Sequence, residues 1–170
     1  MARAARRQDA EFRASLARTP AGERDTALPN GRTWPHAKYS RPLLRTILRE
    51  AAIRHRVDPK LVLALSYWES GWDQSKVSEN GAVGLMQVEP YVAAGAGPML
   101  LGRAVDIEDP YDNADMGVAI LREDLETFGD TSQALAAYYQ GPTSLRANGM
   151  LPDTEAYVVG ILSLMQRIDG

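Results

Sequence analysis

The stretch DPKLVLALSYWES, from Asp58 to Ser70, is apolar around most of its circumference, and after its first residue it contains a single acid, Glu69. Asp58 is a favoured helix N-cap and proline is favoured at the first helical position, so the stretch predicts a helix that begins at Pro59. A helix that is apolar on every side belongs in the centre of a core. Because Glu69 follows Leu65 by one turn, the sequence places a carboxyl group on a buried face.

Four other segments predict helices. Leu44, Ile47, Leu48 and Ala51 recur at helical spacing after the cap-like SRP, and DPYDNADMGVAILREDLETFG, DTSQALAAYYQG and PDTEAYVVGILSLMQRI each begin with a typical cap. The glycine-rich region from Gly71 to Gly102 favours turns and short helices. No segment alternates with period two and no internal repeat is found. The sequence therefore predicts a compact all-α fold built around a central buried helix that ends at Glu69.

Length and composition limit the possible classes of protein. A chain of 170 residues with 45% hydrophobic residues is expected to form one globular domain. It contains no cysteine and only two histidines, His36 and His55, so neither disulfides nor a histidine metal site is expected. The longest apolar run, Leu61–Leu65, is far below the roughly 20 residues of a membrane-spanning helix, and no signal-peptide pattern opens the chain.

Charge divides the chain into two expected parts. Residues 1–24 carry six arginines against Asp9, Glu11 and Glu23, a net of +3, while the remainder has 13 basic and 19 acidic residues, a net of −6. We predict a flexible basic arm or linker over residues 1–38, with one short helix near residues 9–17, and a folded domain over residues 39–170. Such an arm is compatible with an anionic polymer or membrane surface, or with a solvated leader, and the acidic remainder argues against nucleic acid.

The position of Glu69 predicts unusual acidity. In the last turn of a helix, the helix dipole and desolvation both disfavour the ionised carboxylate and raise its pKa. A carboxyl group that is neutral near pH 7 can donate a proton, as a general acid for glycosidic bond cleavage must. The alternative from position alone is a glutamate at a helix end that turns out to water.

The residues after Glu69 form a more specific pattern. ESGWDQSKVSENGAVGLMQVEP contains the Glu69–Ser70 pair, an aromatic at Trp72, Ser78, and GAVGLMQ from Gly81 to Gln87. Further along the chain come DPYDNADMGVAIL, ALAAYYQGP and PDTEAYVVGIL, in that order. Together these motifs cover about residues 40–168. Their sequence and order resemble the lytic transglycosylases of the soluble (SLT) type, in the lysozyme-like superfamily.

This resemblance implies an activity and an acid/base residue. The family cleaves the β-1,4 bond between N-acetylmuramic acid and N-acetylglucosamine in peptidoglycan and forms a 1,6-anhydromuramoyl product. Glu69 would be the single catalytic acid/base, and the substrate's own N-acetyl group would replace a second carboxylate. No cofactor and no metal is expected.

The resemblance also assigns expected roles to other residues. Ser78 and Gln87 would bind substrate, and Tyr138 would close the site over Glu69, while the glycines Gly81 and Gly84 would let the backbone approach the glycan. Each has a structural alternative: Ser78 as a turn cap, Gln87 bonded only to backbone, Tyr138 as a core aromatic.

Two positions depart from the family pattern. Glu89 stands where methionine is common, and Tyr139 stands where asparagine is common. We expect both to contact substrate and to alter subsite preference: the carboxylate through sugar hydroxyls or repulsion of acidic groups, the tyrosine by stacking on a ring. Among the nearby aromatics, Trp68 is expected in the core, and the place of Trp72 stays open.

Two other functions remain open at this level. The first is a goose-type-lysozyme-like muramidase, in which Asp73, Glu79 or Glu89 would position a water. The second is a glycan-binding module on the same fold that has lost turnover. The expected partner is the peptidoglycan glycan strand, with a monomer favoured and membrane attachment only through an anchor not in this chain. The expected location is extracytoplasmic, in the cell envelope or secreted.

Overall fold

The computed structural model describes residues 39–168, and the predicted helix near residues 9–17 lies outside this range, as does the predicted arm. The described part contains α1 Arg41–His55, α2 Pro59–Ser70, α3 Pro90–Ala96, a π-helical turn Gly97–Leu101, α4 Pro110–Phe128, α5 Thr131–Gln140, α6 Pro142–Asn148 and α7 Pro152–Met165. Its only extended pairing is a pair of isolated bridges, Val77 to Val83 and Val83 to Val88. The all-α prediction is confirmed. None of the described helices is long and apolar enough to cross a membrane.

The predicted helix boundaries are confirmed where a cap marks them. Asp58 accepts a hydrogen bond from the Lys60 amide at 2.8 Å, and α2 starts at Pro59. Ser40 caps α1, and Gly129 ends α4 in the left-handed conformation at φ 67°. Helix α6 was not predicted, because its seven residues are too few for apolar periodicity to register.

Helix α2 lies in the centre of the core, as predicted. Its residues from Leu61 to Ser66 are buried, and α1 and α7 pack against it. The approach of α7 requires Gly160, since a Cβ atom there would lie 2.2 Å from the indole ring of Trp68. Helix α4 packs against α1 and α5, and α5 packs against α7, so α5 and α7 stand next to each other at the end of α2.

Helix α4 contains a buried acid. Asp124 on α4 is 6% exposed, and its Oδ2 has no hydrogen-bond partner. Burial raises the pKa of this carboxyl from 3.8 to about 7; the charge of Glu123 adds to the shift and that of Arg146 opposes it. The folded protein therefore keeps this proton up to near neutral pH.

This proton makes stability depend on pH. Because the native pKa of Asp124 is raised, its contribution to the free energy of unfolding is full below about pH 4 and is lost as the pH rises through about 7. The full shift between the two pKa values of Asp124 corresponds to at most roughly 4 kcal/mol in the free energy of unfolding. We expect Asp124→Asn to remove this dependence and Asp124→Leu to be more stable than the wild type at pH 8.

Denaturant unfolding at pH 5 and pH 8 measures the effect as the difference between each variant and the wild type. Glu50→Gln, which neutralises an exposed carboxylate on α1, is the matched control and should leave the pH dependence unchanged. Equal pH dependence in Asp124→Asn and the wild type would contradict the prediction.

Candidate active site

Glu69 lies in the last turn of α2, which Gly71 ends at φ 70°. Its neighbours on the preceding turn, Leu65 and Ser66, are fully buried, whereas Glu69 is half-buried and keeps some contact with solvent. Desolvation raises the pKa of its carboxyl to about 7, against a hydrogen bond from Tyr157 and the charge of Lys76, which lower it. The predicted direction is confirmed, and the carboxyl group can both give up and accept a proton near neutral pH.

Tyr157 on α7 holds the Glu69 carboxyl. Its hydroxyl donates to Oε1 of Glu69. Its buried ring stacks on Tyr139, with centroids 4.4 Å apart and planes inclined by 23°, and it meets the ring of Trp68 edge-on at 6.2 Å. One hydrogen bond and two ring contacts, which involve α2, α5 and α7, therefore fix the orientation of the carboxyl. The sequence analysis did not single out Tyr157, although this tyrosine belongs to the PDTEAYVVGIL motif and so carried a signal.

Tyr138 on α5 lies close to Glu69 but does not bond to it. Its hydroxyl donates to the carbonyl oxygen of Met86 at 2.8 Å. Burial raises the pKa of Tyr138 well above its usual value, and the charges of Glu69 and Asp124 raise it further. The hydroxyl therefore stays protonated and ties α5 to the turn that contains Met86.

This turn, Gly84 to Gln87, is held by side chains from several helices. The carbonyl oxygen of Leu85 accepts hydrogen bonds from the hydroxyls of Ser66 at 2.9 Å and Ser70 at 3.0 Å, both on α2. The Leu85 amide donates to Gln74 at 3.1 Å, and the Met86 amide donates to Asn113 of α4 at 2.9 Å. Each of these bonds provides a partner for a buried backbone group that has none in a helix or a sheet.

Gly84 and Gln87 have partly structural roles in this turn. A Cβ atom on Gly84 would lie 2.5 to 2.6 Å from the side chains of Gln74 and Asn113, so its missing side chain leaves room for these two amides. Gln87 has φ 48°, and its Nε2 donates to the carbonyl oxygens of Lys76 at 3.2 Å and Gly84 at 3.1 Å. The side-chain amide nitrogen of Gln87 is therefore already hydrogen-bonded to two backbone carbonyl groups.

The other predicted site residues lie on the loop between α2 and α3. Ser78 accepts a hydrogen bond from the Ala82 amide at 3.0 Å and so closes a turn, and Gly81 in that turn has φ 84° with open space around it. Glu89 is the N-cap residue of α3 but makes no capping side-chain hydrogen bond, and its nearby carboxylate raises the pKa of the exposed Tyr91.

Two residues near the site, Trp72, whose place the sequence left open, and Asp73, a candidate base of the hydrolytic alternative, can also be placed. Trp72 is buried, and its indole N–H donates to the carbonyl oxygen of Leu63 at 3.0 Å, which makes it a core residue. Asp73 accepts hydrogen bonds from the amide and the hydroxyl of Ser75, at 2.9 and 2.7 Å. The structure therefore brings Glu69 together with tyrosines of α5 and α7, while Ser78, Gln87 and Glu89 lie on one loop.

Comparison with known proteins identifies the family. Residues 46–157 match the transglycosylase SLT domain, so the chain belongs to this family. It is 36% identical over 91 residues to a transglycosylase of Enterobacteria phage PRD1, a match that spans 54% of this chain and 32% of that protein. It is 32% identical over 80 residues to membrane-bound lytic murein transglycosylase C of Haemophilus influenzae, a match that spans 44% of this chain and 22% of that protein.

Two solved structures share the fold of this chain. An inactive mutant of lytic transglycosylase Slt from Pseudomonas aeruginosa superimposes with a TM-score of 0.64 at 24% identity, over 71% of this chain and 23% of that one. The 70 kDa soluble lytic transglycosylase from Escherichia coli gives a TM-score of 0.63 at 23% identity, also over 71% and 23%. The chain thus corresponds to a third or less of the length of these relatives.

The Tyr157 contact predicts a measurable change in acidity. Because the hydrogen bond from Tyr157 favours the ionised form of Glu69, Tyr157→Phe should raise the Glu69 pKa above its value of about 7. NMR titration of carbon-13-labelled glutamate carboxyls measures this directly. Tyr138→Phe is the matched control, since it removes a neighbouring hydroxyl that bonds Met86 instead and should leave the Glu69 midpoint in place. An unchanged or lower midpoint in Tyr157→Phe would show that the hydrogen bond does not act on the acid.

Proposed function

We propose that this chain is a peptidoglycan lytic transglycosylase that cleaves the β-1,4 bond between N-acetylmuramic acid and N-acetylglucosamine and leaves a 1,6-anhydromuramoyl end. Membership of the SLT family supports the substrate and the reaction. The observation that carries the proposal is Glu69, a half-buried carboxyl whose pKa is raised to about 7 by desolvation and which is oriented by Tyr157.

One such carboxyl group is sufficient for both halves of the reaction. In the first half the neutral Glu69 donates its proton to the glycosidic oxygen, and the bond from that oxygen to C1 of the muramoyl residue breaks. In the second half the Glu69 carboxylate takes the proton of the C6 hydroxyl while the C6 oxygen bonds to C1, which regenerates the acid and consumes no water. A pKa near the working pH makes both transfers favourable, and the substrate's acetamido group stabilises the intermediate positive centre.

Among the neighbouring residues, Tyr139 has the exposure and the contacts that support a role as substrate ligand. Tyr139 is 37% exposed and backed by Tyr157, which makes it a fixed platform for a sugar ring. Ser78, Gln87 and Glu89 would contact the glycan from the loop before α3, with Gly81 leaving space for its approach. Tyr138 would act through the turn, because its hydroxyl is bonded to Met86.

The hydrolytic alternative needs a base that holds a water. Of its three candidates, Asp73 accepts two hydrogen bonds from Ser75, Glu79 is exposed and Glu89 is half-buried on the same loop. Family membership, rather than these contacts, favours the transglycosylase reaction over hydrolysis. The substrate lies outside the cytoplasmic membrane, so we infer an extracytoplasmic site of action with glycan strands as the partner. The names of the relatives, among them a membrane-bound murein transglycosylase, support this location.

Product analysis tests the reaction. We expect mass spectrometry of digested peptidoglycan to show anhydromuramoyl ends, 18 Da lighter than the corresponding reducing ends because no water is added. Glu69→Gln should lose at least roughly 100-fold in activity, since the acid/base is removed, while keeping its thermal unfolding midpoint. If the products carried reducing ends, the reaction would be hydrolysis and the proposal would be wrong. If the wild type bound glycan without cleaving it, the chain would be a glycan-binding module.

The proposed role of Tyr139 predicts a loss of affinity. In a Glu69→Gln background, which prevents turnover, the further change Tyr139→Asn should weaken binding of a muropeptide about fivefold, the equivalent of roughly 1 kcal/mol for one lost ring contact. Tyr139→Phe keeps the ring and should bind as the parent does. Calorimetric titration measures both, and equal affinity of all three proteins would remove Tyr139 from the substrate site.

A further inference from the structure

Lys76 lies on the loop after α2, seven residues beyond Glu69, and its Nζ donates to the backbone carbonyl oxygen of Glu69. The loop is fixed at this point from the other side as well. The carbonyl oxygen of Lys76 accepts hydrogen bonds from the amide of Gly84 at 2.8 Å and from Nε2 of Gln87 at 3.2 Å. The lysine therefore links the end of α2 to the turn that follows it.

The carbonyl group that Lys76 binds is one that a helix leaves without an internal partner. Glu69 is in the last turn of α2, where carbonyl oxygens point out of the helix end and carry the negative pole of its dipole. Helix α2 has no basic residue in its own last turn. A cation supplied by the following loop thus meets the negative pole beside the acid.

The guanidinium of Arg41, on α1, also reaches the end of α2 and lies 4.0 Å from the Cβ position of Gly71. The charge that lowers the pKa of the Glu69 carboxyl is that of Lys76. From α7 the carboxyl faces Tyr157, and from α5 it is close to Tyr138 and Tyr139. Burial and the charge of Glu69 raise the pKa of all three tyrosines, so they are neutral at physiological pH. Of these four neighbours within residues 39–168, Lys76 is the one that carries a full charge.

We propose that Lys76 is a positioning residue for Glu69: it fixes the last turn of α2 and keeps a positive charge beside the carboxyl, so that the carboxylate needed in the second half of the reaction is accessible. This inference rests on the proposed function for its catalytic meaning. Lys76 touches the residue that reacts and acts through it.

The two contributions of Lys76 can be separated by substitution. Lys76→Met removes the hydrogen bond and the charge, Lys76→Gln removes the charge but keeps a donor for the carbonyl oxygen, and Lys76→Arg keeps both. Lys60 at the other end of α2 is exposed, so Lys60→Met is a matched control for the loss of one positive charge from the same region of the chain.

The experiment follows the Glu69 carboxyl by NMR and the rate of peptidoglycan solubilisation, both as functions of pH. Burial raises the Glu69 pKa and the ammonium group of Lys76 lowers it, so removing that group should raise the pKa further. In Lys76→Met and Lys76→Gln we therefore expect the Glu69 titration midpoint and the alkaline limb of kcat/KM to move up by roughly one pH unit. Lys76→Arg should restore the wild-type profile, and Lys60→Met should not change it.

The outcomes are distinct. If Lys76→Met unfolds, Lys76→Gln gives the decisive titration, because it retains the hydrogen bond that holds the helix end. A Glu69 midpoint that stays in place in folded Lys76→Gln would overturn the inference and leave Lys76 as a helix cap only. The NMR titration needs no substrate, so it tests Lys76 even if product analysis were to refute the proposed reaction.

Discussion

The site depends on how the chain satisfies the buried backbone of a single turn. The amide and carbonyl groups of Leu85 and Met86 lie in the core without helix or sheet partners, and leaving such groups unbonded would cost about 1 to 3 kcal/mol each. Side chains of α2, the following loop, α4 and α5 supply every partner described. The same bonds that satisfy the turn therefore fix the relative positions of the elements that surround Glu69.

The acidity of Glu69 follows from this arrangement. Burial in a core assembled from α2, α5 and α7 favours the neutral carboxyl, while one tyrosine hydroxyl and one ammonium group favour the carboxylate. The balance lies near pH 7, which neither influence would give alone. The packing that stabilises the fold thus also sets the Glu69 pKa near neutral pH, where both protonation states are populated.

Much of the fold was predictable because its signals are local. Caps such as Asp58 and Gly129, and the apolar periodicity between them, depend only on neighbouring residues, and the ordered motifs indicated the family. Helix α6 was not predicted because seven residues are too few to show a helical periodicity of apolar residues. The hydroxyl of Tyr138 bonds to Met86, and the residue that holds Glu69 is Tyr157. Choosing between these two tyrosines requires knowledge of how α5 and α7 approach α2, which no local pattern contains.

The sequence by itself determined the longer helices, the central place of α2 and the presence of an acid at its end, because these follow from the spacing of apolar and capping residues. Only the tertiary structure decided which groups meet that acid. Tyr157 and Lys76 are separated from Glu69 by 88 and 7 residues, and both contact it. Hydrogen bonds and charges act through space, so their partners are fixed by the packing of α7 and the course of the loop after α2.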